Sequence, residues 1–217
     1  MDTPIDTYWR IRLDALKEAL DANNFDTIIV PTTADACRVV LEDIIPAATP
    51  ESISWGGSLT HIQTGIYDAL KALPGVDILD TYDKALSPKE MIQLRRRALL
   101  VDLFITGTNA VTEDGCLVNL DMIGNRVAAL TFGPRRVVVL VGRNKIVPTF
   151  EDAVARIKNY AAPVNTMRLE KKTPCRKTGN CHDCSSPDRI CNTWTITEKS
   201  FPKGRVSVIL INEDLGF

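Results

Sequence analysis

The chain has 217 residues, 45% of them apolar, and 26 basic against 27 acidic residues leave a net charge of −1. That length favours one sizeable domain, here taken as residues 1–217, with enough apolar material for a real core. The near-neutral balance excludes a global pull toward nucleic acid or anionic lipid.

Tyr8, Ile11, Ala15, Leu16, Ala19 and Leu20 mark one face of a first helix, from about Thr7 to Ala22, ended by Asn23-Asn24. Asp26 to Val30 reads as a short buried strand stopped by Pro31. A second helix runs from about Ala34 to Ile45, where Pro46 should stop it. Ile53-Ser54-Trp55 is a strand entering Gly56-Gly57, and a third helix covers roughly Leu59 to Leu73, before a strand at Val76 to Leu79. Ser87-Pro88-Lys89-Glu90 fits a capping box, and Met91, Leu94, Ala98 and Val101 follow at helical spacing. Then come β segments at Leu103–Thr106, Ala110–Thr112, Cys116–Leu120, Val127–Leu130 and Val137–Val141, with turn signals at Asp114-Gly115 and Gly124-Asn125. Thr149 starts the last helix, with Ala153, Ile157 and Tyr160 on one face, and Val206 to Ile211 is the final strand. The first half thus alternates β and α, as a parallel sheet with crossover helices does, and the middle becomes a β-rich meander.

No apolar run approaches the ~20 residues that span a bilayer. Met1 to Arg12 mixes acids, bases and aromatics and has no secretory h-region. The expected compartment is the cytoplasm, where disulfides are rare. Against that background, Cys175, Cys181, Cys184 and Cys191 crowd into one loop, residues 173–192, with the two-residue gap between Cys181 and Cys184 that lets both sulfurs reach one metal. Zinc would make a closed structural clip, and a [4Fe–4S] cluster an electron carrier; the bland alternative is reduced thiols or opportunistic disulfides. His182 could replace one sulfur. Cys37 and Cys116 fall in apolar stretches and read as packing residues.

Other residues could bind or react. Gly56, Gly57, Ser58 and Thr60 sit between a strand and a helix, which gives either an anion site of backbone N–H groups and hydroxyls or a plain glycine turn capped by Ser58. Thr112-Glu113-Asp114-Gly115 is a hairpin turn in which Glu113 is either a reactive carboxylate or a solvated turn residue. Asn109, Asn119 and Asp121 are polar positions able to line the same cleft. Arg126, Arg143 and Lys145 could hold a carboxylate or phosphate, with Lys145 first among them. His61 is either a base beside the glycine loop or a packing residue. Arg95-Arg96-Arg97 reads as a solvated helix face.

The stretch from Asp102 to Asn119, then Gly124 to Leu130, Phe132-Gly133-Pro134 and Val139 to Pro148, with Trp55 to Thr60 upstream, resembles the LUD (lactate-utilisation) domain family over nearly the whole chain. The resemblance implies a fold like that of the ribose-phosphate isomerase, glucosamine-phosphate deaminase and coenzyme A transferase group. That is an α/β three-layer sandwich around a mixed, mostly parallel sheet. It implies that the Gly56–Thr60 loop binds substrate, and that Glu113 stands where coenzyme A transferases keep a nucleophilic glutamate. It also implies an accessory or catalytic subunit of cytoplasmic lactate-to-pyruvate oxidation, acting on a small anionic metabolite beside iron–sulfur protein subunits or as a homodimer. Neither nucleic acid nor membrane is an expected partner. A free-standing enzyme of the coenzyme A transferase or sugar-phosphate isomerase type is the rival, and a non-catalytic ligand-binding protein is a third possibility.

Overall fold

The computed structural model of the chain describes residues 3–217; Met1 and Asp2, part of the N-terminal stretch weighed above as a leader, lie outside the described residues. In chain order its elements are α1 (Pro4–Ala22), β1 (Asp26–Val30), α2 (Thr33–Arg38), α3 (Ile45–Ala48), β2 (Ser52–Trp55), α4 (Leu59–Gln63), α5 (Ile66–Lys71) and β3 (Asp77–Leu79). Then follow α6 (Pro88–Arg97), β4 (Leu103–Gly107), β5 (Ala110–Thr112), β6 (Leu117–Asp121), α7 (Asn125–Thr131), β7 (Arg136–Gly142) and β8 (Ile146–Val147). The chain ends with α8 (Phe150–Arg156), α9 (Ala162–Arg168), α10 (Pro174–Thr178), β9 (Thr193–Thr197) and β10 (Val206–Ile211).

Six strands form one sheet in the order β1-β10-β7-β4-β2-β3, with every pairing parallel. The second sheet, β8-β5-β6-β9, pairs β5 with β8 in parallel and its other neighbours antiparallel. The arrangement is the expected α/β one with mixed, mostly parallel strands, but divided between two sheets. Successive residues of the central strands feed opposite faces. Val137, Val139, Val208 and Leu210 pack with Leu13, Leu16 and Leu20 of α1. Val138, Leu140, Ile209 and Ile211 pack with Ala36, Val40, Ile66 and Leu70. Burial on both faces explains why these strands read as unbroken apolar runs. Ala110, Val118 and Leu120 of the smaller sheet pack against Ala153 and Ile157. No helix among the described residues is long and apolar enough to cross a membrane.

Several expectations change for local reasons. On α1 the buried residues are Leu13, Leu16 and Leu20, while Tyr8 and Ile11 are exposed. Ile11 lies about 200° round the helix from Leu13, so it cannot share that face. Pro46 does not stop the second helix. A π-helical stretch, Val39–Ile44, precedes it, and the widened turn accommodates the ring and the missing donor at the start of α3. Pro163 is passed in the same way, through Ile157–Ala161. The expected Leu59–Leu73 helix breaks into α4 and α5 at Gly65, whose φ is +72°. Val127–Leu130 is helical within α7: a short apolar run does not by itself distinguish strand from helix. Strand β9 was not anticipated; its residues Thr193 to Thr197 are mostly exposed along the edge of β6.

Candidate functional site

Parallel strands deliver the loops after their carboxyl ends to one crevice, which is where open α/β sheets hold ligands. Here the loops after β2, β4 and β7 line a cavity of about 550 Å³. Gly57 and Ser58 come from the first, Thr108 and Asn109 from the second, and Lys145 from the third. Gly216 and residues of α9 complete the wall. The lining is one-sided in charge: Arg95, Arg126, Lys145, Arg168 and Lys171 face a single acidic side chain, Asp121.

The two buried cations differ in how they are satisfied. Arg126 is fully used. Its Nε donates to Asp121 Oδ1 at 3.0 Å and its Nη2 to the same oxygen at 2.6 Å. Nη2 also donates to Asn109 Oδ1 at 2.7 Å, and Nη1 to the Gly107 carbonyl at 3.0 Å and to Asn119 Oδ1. Asp121 Oδ2 accepts the amide of Arg126 at the start of α7. This knot ties the smaller sheet to the end of β4. A Cβ on Gly56 would lie 2.9 Å from Arg126 Cγ, so glycine there lets the guanidinium lie against the strand end.

Lys145 sits in a short turn, Arg143–Lys145, and is only 4% exposed. Its Nζ donates to Thr60 Oγ1 at 2.8 Å. Among the described residues it forms no ion pair. Burial, with added repulsion from Arg156 and Arg126, pushes its pKa down to about 7. A buried ammonium without a counter-ion is costly, and a negative charge brought to it would relieve that cost.

The glycine loop is largely spoken for by its own structure. Ser58 Oγ accepts the His61 amide and so caps α4, and the Ser58 amide donates to the Tyr82 hydroxyl, which donates to the Gly56 carbonyl. A helix as short as α4 has little dipole to offer an anion. His61 is buried among Trp55, Tyr67 and Tyr82 with neither ring nitrogen bonded, and burial pushes its pKa down to about 3. It is a neutral packing residue outside the cavity lining.

Glu113 stands elsewhere. The hairpin turn that carries it packs on α1, where Gly115 (φ +85°) presses against the backbone of Ala19 and Leu20. Glu113 Oε1 pairs with Arg12 at 2.6 Å, and the residue does not line the cavity. The structure therefore brings Gly57, Ser58, Asn109 and Lys145 to one cavity, sets Thr60 behind Lys145 and Gly56 behind Arg126, and leaves Glu113 apart. Arg143 is also apart, paired with Asp214 and stacked over Trp9. Cys175, Cys181, Cys184 and Cys191 are all free thiols. Tyr82, Arg168 and Lys171, which join the site, carry no local sequence signal; only the tertiary fold brings them in.

Fold and site together define an α/β protein with a cationic cleft at the carboxyl edge of a parallel sheet. Residues 13–211 match the LUD domain, and the chain belongs to the LUD domain family. No curated protein sequence matches it. Among solved structures, a DUF162 family protein from Deinococcus radiodurans is similar, with a TM-score of 0.53 and 15% identity, over 94% of this chain and 98% of that one. That likeness bears on the fold alone. Partial matches to eIF2B beta (TM-score 0.28, 19% identity, 64% of this chain and 44% of that one) and eIF2B delta (TM-score 0.27, 16% identity, 65% and 50%) of Chaetomium thermophilum carry no argument.

Proposed function

We infer that the chain binds a small carboxylate metabolite in the cationic cavity, as an accessory or catalytic subunit of lactate-to-pyruvate oxidation. The observation that carries this reading is Lys145, a buried ammonium at the cavity wall with a single hydroxyl partner and no carboxylate. Membership of the LUD family supports the pathway. In this reading the ligand's carboxylate supplies the missing counter-charge, and Arg168 and Lys171 draw it in. The same reading takes the clusters on both faces of the parallel sheet as a three-layer sandwich of the coenzyme A transferase kind. It places the chain in the cytoplasm, working with iron–sulfur subunits or a second copy of itself.

Calorimetric titration of the purified protein with lactate, pyruvate and inorganic phosphate tests it. Wild type should bind a carboxylate, and Lys145→Met should lose at least about tenfold in affinity, the loss of one charge-assisted contact. Equal affinity in the two proteins, or none in wild type, defeats the proposal.

A further inference from the structure

Between Leu169 and Thr193 the chain has one short helix, α10, and only two buried residues, Thr173 and Ile190. A segment of that length with so little apolar burial needs another source of order. It is not loosely arranged, however. Arg189 crosses the loop, donating Nη1 to the Cys184 carbonyl at 2.6 Å, Nε to the Cys191 carbonyl at 3.0 Å and Nη2 to Asp183 at 2.9 Å. Ser186 and Asp188 pin it to Lys172.

All four cysteines line one cavity, together with His182, Lys158 and Arg189. One donor already points at a sulfur, the Asp183 amide to Cys181 Sγ at 3.4 Å. Cys175 Sγ lies within hydrogen-bond reach of the Thr173 and Thr166 hydroxyls, at 3.3 and 3.5 Å; the Thr166 hydroxyl donates to the Pro163 carbonyl, so toward Cys175 it can only accept. Lys158 and Arg189 bring two positive charges to the wall and Asp183, paired with both, one negative; that net positive balance, with the amide at Cys181, suits sulfurs that carry negative charge. Among the described residues no three Cys, His, Asp or Glu side chains are grouped so as to hold one ion, so loading must draw the sulfurs inward. Ile190 and Ala162 line this cavity and the ligand cavity alike. Asn192 fastens the loop's end to the Asp121 and Met122 carbonyls, beside the Arg126 knot.

We propose that Cys175, Cys181, Cys184 and Cys191 bind a thiophilic metal centre, and that this centre forms the back of the ligand cavity's wall. The metal half stands without the function proposed above; the wall half rests on it. Four thiolates suit zinc or an iron–sulfur cluster.

The test begins with the full chain purified without oxygen, then offered Zn²⁺ alone in one arm and ferrous iron with sulfide in the other. Wild type should take up one centre in one arm, seen as stoichiometric metal with sulfur ligation by X-ray absorption. Cys181→Ser/Cys184→Ser should lose it, and Cys37→Ser/Cys116→Ser should keep it. Wild type that binds no more metal than the folded double variant in either arm, or that is isolated with these thiols joined as disulfides, overturns the metal centre. Pyruvate titration of loaded and stripped protein tests the wall. Weaker binding after stripping is expected, and equal affinity in both forms overturns that half alone. Should loaded protein bind the metal but no carboxylate, the carboxylate reading fails, the wall half falls with it, and the metal centre stands.

Discussion

Lys145→Met keeps the length of the side chain and removes its charge. In the folded protein burial holds the ammonium at a pKa of about 7, against an ordinary lysine value of 10.5. At about 1.4 kcal/mol per pH unit, that difference amounts to on the order of 5 kcal/mol of stability withheld. The sign follows from proton uptake. Between about pH 7 and 10.5 the unfolded chain holds this proton and the folded chain does not, so stability rises with pH across that window. The penalty is complete below about pH 7 and gone above 10.5. Methionine carries none of it, and loses only the hydrogen bond to Thr60, about 1 kcal/mol. The variant should therefore be several kcal/mol more stable than wild type near pH 6, with its advantage reduced by about 2–3 kcal/mol near pH 9. Urea unfolding of both proteins at the two pH values measures it. A stability difference that is the same at both, or a variant less stable than wild type near pH 6, would refute the reasoning that this ammonium is buried without a counter-charge.

The same titration governs binding: above about pH 7 an incoming anion must also bring a proton to Lys145, so carboxylate affinity should fall as pH rises, read by calorimetry between about pH 6 and 9. Asp121→Asn leaves the Arg126 guanidinium buried without its counter-charge and should cost about 3–5 kcal/mol in urea unfolding. Glu113→Gln breaks a half-exposed pair with Arg12, so it should cost no more than about 1 kcal/mol and leave carboxylate affinity unchanged. Burial keeps folded His61 neutral down to about pH 3, whereas the unfolded chain protonates it from its ordinary 6.5. Stability is therefore lost as pH falls below 6.5, at about 1.4 kcal/mol per pH unit, and His61→Phe should lack that part of the slope between about pH 6 and 4.

The alternation of strands and helices was legible because the central strands are buried on both faces and read as short apolar runs between glycine and proline. Proline misled at Pro46, where a π turn made room for it. Periodicity misplaced the buried face of α1, since Tyr8 and Ile11 are apolar yet exposed. Ser58 was nameable from its place between a strand and a helix and Lys145 from a strand-end stretch that resembles the family, whereas Asn109 was nameable only as a neighbour of the Glu113 turn. All three reach one cavity because strand ends share an edge in a parallel sheet. Glu113 was nameable for another reason, the resemblance of its turn to a transferase motif, and a turn motif does not say which side of the molecule it faces. The Asp121–Arg126 pairing was hidden because Val127–Leu130 read as a strand; only once α7 is helical does Asp121 stand at its amino end. Arg168 and Lys171 lie far from the strand ends in sequence and reach the cavity only by packing.

The two buried cations divide the work of the cavity. A guanidinium makes five donations in fixed directions, and Arg126 spends all of its reach on Asp121, Asn109, Asn119 and the Gly107 carbonyl, so it joins the two sheets and adds little net attraction. A lysine ammonium is a compact charge whose pKa responds to its surroundings, and Lys145 is left with one neutral partner. The knot around Arg126 supports the loop after β4, while Thr60 supports the ammonium from the α4 side. A ligand that supplies negative charge between them would relieve the cost of burying Lys145 without disturbing Arg126. The stability that Lys145 withholds from the empty protein is then the same free energy that favours the anion when it arrives.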